Sequence, residues 1–385
     1  MSKYLALHEP MLGGNEHEYL KECIDTGWVS TGGKFVSAFE DEFKKLIGTK
    51  YAVACTSGSA AIHLALKALR IEKETEVIVP TITFAATINA VHYVNAVPIF
   101  MDCDAIGNVD VTKTIEFIIK NTTFDGEVSR NISTGREIRA LIPVHIFGTA
   151  VWLDDLVPLC EERNIQIIED AAESLGTRFS TGLFSGQHTG SVGKAGCFSF
   201  NGNKIITTGG GGMLVTDDER LASYARYLST QAKDDPLVFR HDEVGFNYRL
   251  TNLQAAVGMA QLEQLPEILR KKEKVHLTYC RLFGEAGVSG LVQEPAHSAS
   301  NHWLNRISIR DDGGNARDTY IEIAKSSGVE LRPVWLPNHQ QRPNLPAQAH
   351  KIEEAFEFVQ RTLCLPSSAF LEEQDLFRVV ECFRG

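Results

Sequence analysis

The sequence predicts an α/β fold, with a large domain built on a seven-stranded, mostly parallel sheet and a smaller C-terminal α+β domain. Three observations lead there. Short apolar runs alternate with helical stretches from residue 51 to residue 229. Those runs are continuously apolar, as strands covered on both faces are. After about residue 288 the alternation stops, and strand and helix candidates follow in a looser order. The division falls between a large domain with its N-terminal segment (1–250) and a long linking helix plus small domain (251–385).

Each element has a local reason. Residues 14–26 read as a helix with Tyr19, Leu20, Cys23 and Ile24 on one side, ended by Gly27. A loop carrying Trp28 and Gly32-Gly33 leads to a second amphipathic helix over 35–46. The seven strand runs are 51–55, 77–79, 97–101, 138–144, 165–168, 197–200 and 213–215. Helices are expected at 59–69, 85–94, 111–119, 154–163 and 218–229. Strands separated by helices build parallel sheets, although strand order cannot be read from the pattern. Residues 175–194, rich in Gly, Ser and Thr, read as an ordered loop or flap. Residues 251–285 read as long helical sequence, with Leu250, Leu253, Val257 and Ala260 on one face and an interruption at Pro266. Strand candidates at 291–292, 303–309 and 329–335 and helical ones at 315–326, 351–362 and 372–382 complete the chain.

Composition narrows the function. The 385 residues are 43% hydrophobic and 23% charged, which is the balance of a soluble globular protein. A formal net charge of −11 argues against nucleic acid or an anionic membrane as a general partner. No apolar run approaches a membrane span, and no signal peptide is expected, since residues 1–14 hold no long apolar core after their one lysine. The eight cysteines are scattered, with no CxxC pair, so a reduced, cytoplasmic protein is expected.

Four stretches carry chemistry. The apolar run Cys197–Phe200 ends in a polar turn holding Lys204, ahead of the four glycines 209–212. A lysine presented there is a candidate for Schiff-base chemistry; the bland alternative is a solvated loop lysine. At Thr56-Ser57-Gly58-Ser59-Ala60-Ala61 a strand gives way to a helix, with Ser59 as expected N-cap, and the free amides suit a phosphate. Ile167-Ile168-Glu169-Asp170-Ala171-Ala172-Glu173 ends a strand in carboxylates, where α/β sheets place functional groups. A buried acid there needs a cation or a donor such as a pyridinium N–H; metal binding is the rival, but no cluster with ligand spacing accompanies it. Phe84, just after the second strand, could stack on a flat ring or pack as a core aromatic. Asn247 and Arg249 could reach a phosphate or cap a helix. Together these groups meet the needs of pyridoxal phosphate.

In these motifs the chain resembles the sugar aminotransferase family called DegT/DnrJ/EryC1/StrS, of fold type I among pyridoxal phosphate-dependent transferases. The resemblance runs through GWVS at 27–30, SGSAA at 57–61, TFAAT at 83–87, PVHIFG at 143–148, EDAAES at 169–174, SFNGNKIITTGGGG at 199–212 and GFNYRLTNLQAA at 245–256. It implies that Lys204 bonds to the cofactor aldehyde, that Asp170 keeps the pyridine nitrogen protonated, and that Glu173 sits near the ring hydroxyl. Phe84 would stack on the ring, and Gly58, Ser59, Ala60 and Ser199 would hold the phosphate. Asn247 would reach the phosphate across a homodimer interface. Trp28, His302, Trp303, Trp335 and His339 are candidate walls for sugar and nucleotide. The segment HDEVG at 241–245 and the form FNGNKII at 200–206 look most like the bacillosamine and legionaminic acid branch. That branch implies a UDP-linked 4-keto-6-deoxy-hexosamine as substrate and L-glutamate as donor; a GDP- or dTDP-linked keto sugar is the alternative. Relatives that act as sugar 3-dehydratases carry His at the lysine position, so Lys204 argues against that chemistry. Lys204 together with Asp170 argues against a non-catalytic cofactor-binding regulator.

Overall fold

The computed structural model describes residues 4–235, 237–309 and 316–384. All seven expected strands form: β1 Tyr51–Cys55, β2 Glu76–Pro80, β3 Val97–Met101, β4 Glu137–Leu141, β5 Gln166–Asp170, β6 Ala195–Ser199 and β7 Gly212–Thr216. They lie in the order β3-β2-β4-β5-β6-β7-β1. All run parallel except β7, which is antiparallel to both β6 and β1. Two additions were not visible in the sequence pattern. Ala349–His350 extends the sheet beyond β3, and the hairpin Thr122–Phe124/Ser129–Asn131 joins it beside β4.

The runs are mainly apolar, without strict alternation, because both faces are covered. Helix α1 (Glu16–Thr26) precedes the sheet, and Ala52 and Ala54 of β1 pack in one cluster with Phe35, Phe39 and Phe43 of helix α2 (Lys34–Ile47). Val53 and Cys55, pointing the other way, join Ala61, Ile62 and Leu66 of helix α3 (Gly58–Ala68). Burying either set in full removes roughly 1.5–3 kcal/mol of apolar exposure per large side chain.

The long helix differs from expectation in two respects. It runs unbroken over Asn252–Glu285 and includes Pro266. Pro266 is exposed, so water can satisfy the carbonyl its missing N–H frees, and the helix continues. Its buried stripe near the start is Ala255, Ala256, Gly258 and Ala260, while Leu253 and Val257 are only half-buried. Small residues win there because the neighbour is close: a Cβ on Gly258 would stand 2.9 Å from the Phe39 ring.

Residues 175–194 are not a flap. Thr177, Phe179, His188 and Thr189 are buried, and Arg178–Phe179 pairs with Ser298–Ala299. In the C-terminal part, Thr362–Cys364 is the middle of a three-stranded antiparallel sheet with Arg306–Ser308 and Arg332–Pro333. The helical run expected over 351–362 is shorter, Glu354–Arg361, because its last residue starts that middle strand. Residue 315 of another expected helix lies outside the described residues. The chain ends cross over: Leu5 packs with Tyr279, Leu363 and Val379, while Asn338 donates back to the Thr81 and Thr83 carbonyls beside β2.

Candidate active site

The site gathers where β2, β5 and β6 end. After β6 the backbone turns through Asn201-Gly202-Asn203, with the Lys204 amide donating to the Asn201 carbonyl at 3.0 Å. The Lys204 side chain is 13% exposed. Its Nζ stands 3.6 Å from Glu173 Oε1 and 4.1 Å from the centre of the Trp303 ring. Asp170 and Glu173 reach the same cavity from the end of β5.

Adjacent acids on a strand point to opposite faces, and here they have opposite fates. Glu169 turns away from the cavity. Gly190, Val192 and Gly193 donate their amides to it at 2.7 Å, and His145 Nε2 lies at 2.8 Å. Because Val151 N–H donates to His145 Nδ1, the ring proton sits on Nε2 and is given to Glu169. Burial pushes the Glu169 carboxyl up, but the His145 bond and the glycine amides outweigh it and hold it below the usual range. Asp170 faces the cavity with fewer donors, the Thr87 hydroxyl at 2.7 Å and the Ala172 amide at 3.1 Å. Burial therefore dominates and raises its pKa. Burial also raises Glu173, against the pull of Lys204 and the Phe147 amide, which donates at 2.7 Å. Phe147 can aim that amide because it takes a left-handed φ of 57°.

The phosphate candidates lie at the start of α3. The N-cap is Ser57, not Ser59: its hydroxyl accepts from the Ala60 amide at 3.1 Å. The helix geometry leaves the Gly58 and Ser59 amides without an intrahelical acceptor, whereas the Ala60 amide is taken by the cap. A Cβ on Gly58 would lie 2.8 Å from that of Ser199, so glycine is what lets helix and strand end meet.

These groups line one cavity of about 380 Å³. Gly58, Ser59, Phe84, Asp170, Glu173, Ser199 and Lys204 all contribute to it. Phe84 is 56% exposed, so it is a wall of the cavity and not a core aromatic. Trp335 joins it edge-on at 6.1 Å and stacks on Phe147 at 5.3 Å. Trp303 also lines the cavity. Other candidates fall elsewhere. Ala60 is buried behind the cap, and Trp28 lines a separate groove beside α2. His302 stacks on His276 at 4.0 Å, His339 hydrogen-bonds Thr81, and Arg249 pairs with Glu40 at 3.0 Å. Asn247 is exposed outside this chain's own cavity. Thr87 was missed, although it lies one helical turn beyond Phe84 in the same motif, the spacing that puts two side chains on one face. Among the described residues, no three His, Cys, Asp or Glu side chains are grouped so as to hold a metal ion, and no helix is long and apolar enough to cross a membrane.

Comparison with known proteins agrees with this geometry. Residues 10–384 match the DegT/DnrJ/EryC1/StrS aminotransferase family. EpsN of Bacillus subtilis, provisionally named a pyridoxal phosphate-dependent aminotransferase, is 36% identical over 99% of this chain and 95% of its own length. The GDP-perosamine synthase of Caulobacter vibrioides is 35% identical over 98% of this chain and 96% of its own. Among solved structures, a DegT DnrJ EryC1 StrS aminotransferase from Brucella abortus superposes with a TM-score of 0.86 at 25% identity, covering 96% of this chain and 95% of that one. The chain belongs to the DegT/DnrJ/EryC1/StrS aminotransferase family and is a pyridoxal phosphate-dependent sugar aminotransferase.

Proposed function

We propose that this enzyme moves the amino group of L-glutamate onto the ketone of a UDP-linked 4-keto-6-deoxy-hexosamine. The observation that carries the aminotransfer chemistry is the convergence of one amine, Lys204, with two buried acids of raised pKa, Asp170 and Glu173, in one cavity. The UDP reading rests on the FNGNKII and HDEVG segments. The GDP-perosamine synthase among the relatives favours a GDP-linked sugar as second reading.

The residues fit pyridoxal phosphate. A buried acid short of donors suits a ring N–H, and the Gly58 and Ser59 amides, free of intrahelical acceptors at the wall of the cavity, suit a phosphate. When bound, the cofactor supplies an aldehyde for the amino group and a ring that accepts the electron pair released at the donor's α-carbon. With the cofactor bound, Lys204 would hold the aldehyde and serve as the base that takes and returns the proton. Asp170, kept in place by Thr87 and Ala172, would hold the ring nitrogen protonated, and Glu173 would stand on the side of the ring hydroxyl. Phe84 would cover a ring face, and the Gly58 and Ser59 amides with Ser199 would receive the phosphate.

Asn247 completes the phosphate site of a second copy in a homodimer. Supporting this, Leu237, Val238, Phe239 and Val244, in the stretch of chain that leads to Asn247, are 64–87% exposed, apolar surface that a second copy would cover. Two inactive variants, Lys204→Ala and Asn247→Ala, should regain activity when mixed subunits exchange, because one site of each mixed dimer is then intact. No recovery would count against the shared site. Assay with glutamate and a panel of UDP-, GDP- and dTDP-linked keto sugars decides the substrate, and turnover of none of them would overturn the proposal.

A further inference from the structure

Lys272 of the long helix has no exposed surface. Its Nζ donates to the Trp303 carbonyl at 2.7 Å and to the Ser367 carbonyl. Burial without an acid to offset it drives this amine well below the usual lysine range. Two backbone carbonyls receive its N–H groups and fix the head of the side chain in one place.

What Lys272 grips is the residue on which Lys204 rests. Trp303 is fixed at three further points. Its amide donates to Asn301 Oδ1 at 2.8 Å, its indole N–H donates to the Asn203 carbonyl at 2.7 Å, and its ring lies under the Lys204 amine. Asn301 in turn donates to the Glu173 and Leu175 carbonyls, both at 2.9 Å. Trp303 therefore ties the half-exposed turn before Lys204 to the loop that carries Glu173. A free lysine side chain has about 2 kcal/mol of rotamer entropy, and a rigid aromatic face restricts where its amine stands.

We propose that Trp303, locked by Lys272 and Asn301, is a positioning residue that sets the place of the Lys204 amine for capture of the cofactor aldehyde. This rests on the reading of Lys204 given above. In the capture step the amine adds to the aldehyde carbon, a C=N bond forms and one water leaves. The test mixes cofactor-free protein with pyridoxal phosphate and follows the visible absorbance. Trp303→Leu, which loses both face and N–H, should slow capture by about tenfold or more; Trp303→Phe, which keeps the face, should recover part of the rate. Affinity for pyridoxamine phosphate, which has no aldehyde to capture, should stay within about twofold in both. Lys272→Met should resemble Trp303→Leu; if it does not fold, the two Trp303 variants decide. Capture at the wild-type rate by Trp303→Leu would overturn the proposal. So would equal losses of capture rate and pyridoxamine phosphate affinity, since that marks a merely structural role. If wild-type protein itself traps no aldehyde at position 204, the failure lies in the reading of Lys204.

Discussion

Glu169 and Asp170 are neighbours in sequence with opposite energetic signs. Glu169 is an ionised acceptor surrounded by N–H donors, and replacing one of its oxygens with an amide NH₂ would set donor against donor. We expect Glu169→Gln to destabilise the protein by about 2–4 kcal/mol. Asp170 is the reverse. The folded chain keeps its proton to higher pH than the unfolded chain does, so without cofactor its burial costs more stability as pH rises through the usual carboxylate range. Cofactor-free Asp170→Asn should therefore melt a few degrees above wild type at neutral pH while losing transamination, the trade between stability and function expected at such a site. A fall in its melting temperature, measured by calorimetry, would contradict this account.

At the scale of elements, glycine placement couples β7 to the phosphate cradle. A Cβ on Gly212 would meet the Ser57 carbonyl at 2.3 Å, and backbone cannot swing aside. Overpacking of this kind costs about 1–3 kcal/mol. Ser57 is the cap that organises the Gly58 and Ser59 amides, so Gly212→Ala should weaken pyridoxal phosphate binding by about tenfold or more, read by titration of the cofactor-free protein. Gly202, in the turn before Lys204, has nothing within 4 Å of where a Cβ would stand, and Gly202→Ala should bind as wild type. Equal effects at the two positions would refute the role given to close packing.

For the whole molecule, buried histidines contribute to the acid limb of stability. His63 and His188 are pushed down to about 4, and His302 to about 3, in each case chiefly by burial. His188 accepts from the Gly176 amide and lies 2.7 Å from the Thr189 carbonyl, so it is bonded as a neutral ring. Between about pH 6.5 and 4 the unfolded chain binds a proton at this residue that the folded chain does not. Stability from His188 is therefore complete above that window and lost as pH falls through it. Asp170 and Glu173 pull the other way, so the informative quantity is a difference between proteins. His188→Asn should flatten the slope of unfolding free energy in this window by at most about 1.4 kcal/mol per pH unit relative to wild type, measured by denaturant titration. An unchanged slope would show that His188 is not the group that titrates.

Much of this protein is written locally. Each of the seven strands is built on a short, mainly apolar run, which is stable between two covering layers. Lys204, the acid pair Glu169-Asp170, Gly58 and Phe84 were legible as candidates for the same reason, because each lies at or shortly after a strand end that was already visible. The remainder depended on contacts between residues distant in the chain. Which of two adjacent acids faces the cavity, the reversal of β7, the extra edge at Ala349–His350 and the return of Asn338 to β2 are all choices of partner. So is the grip of Lys272 and Trp303 on Lys204, with about 70–100 residues between them. Sequence determined which segments become strands and helices, since apolar periodicity and turn residues act over a few positions. Tertiary structure alone decided which side chains meet, because hydrogen bonding and burial are settled by whatever the fold brings alongside.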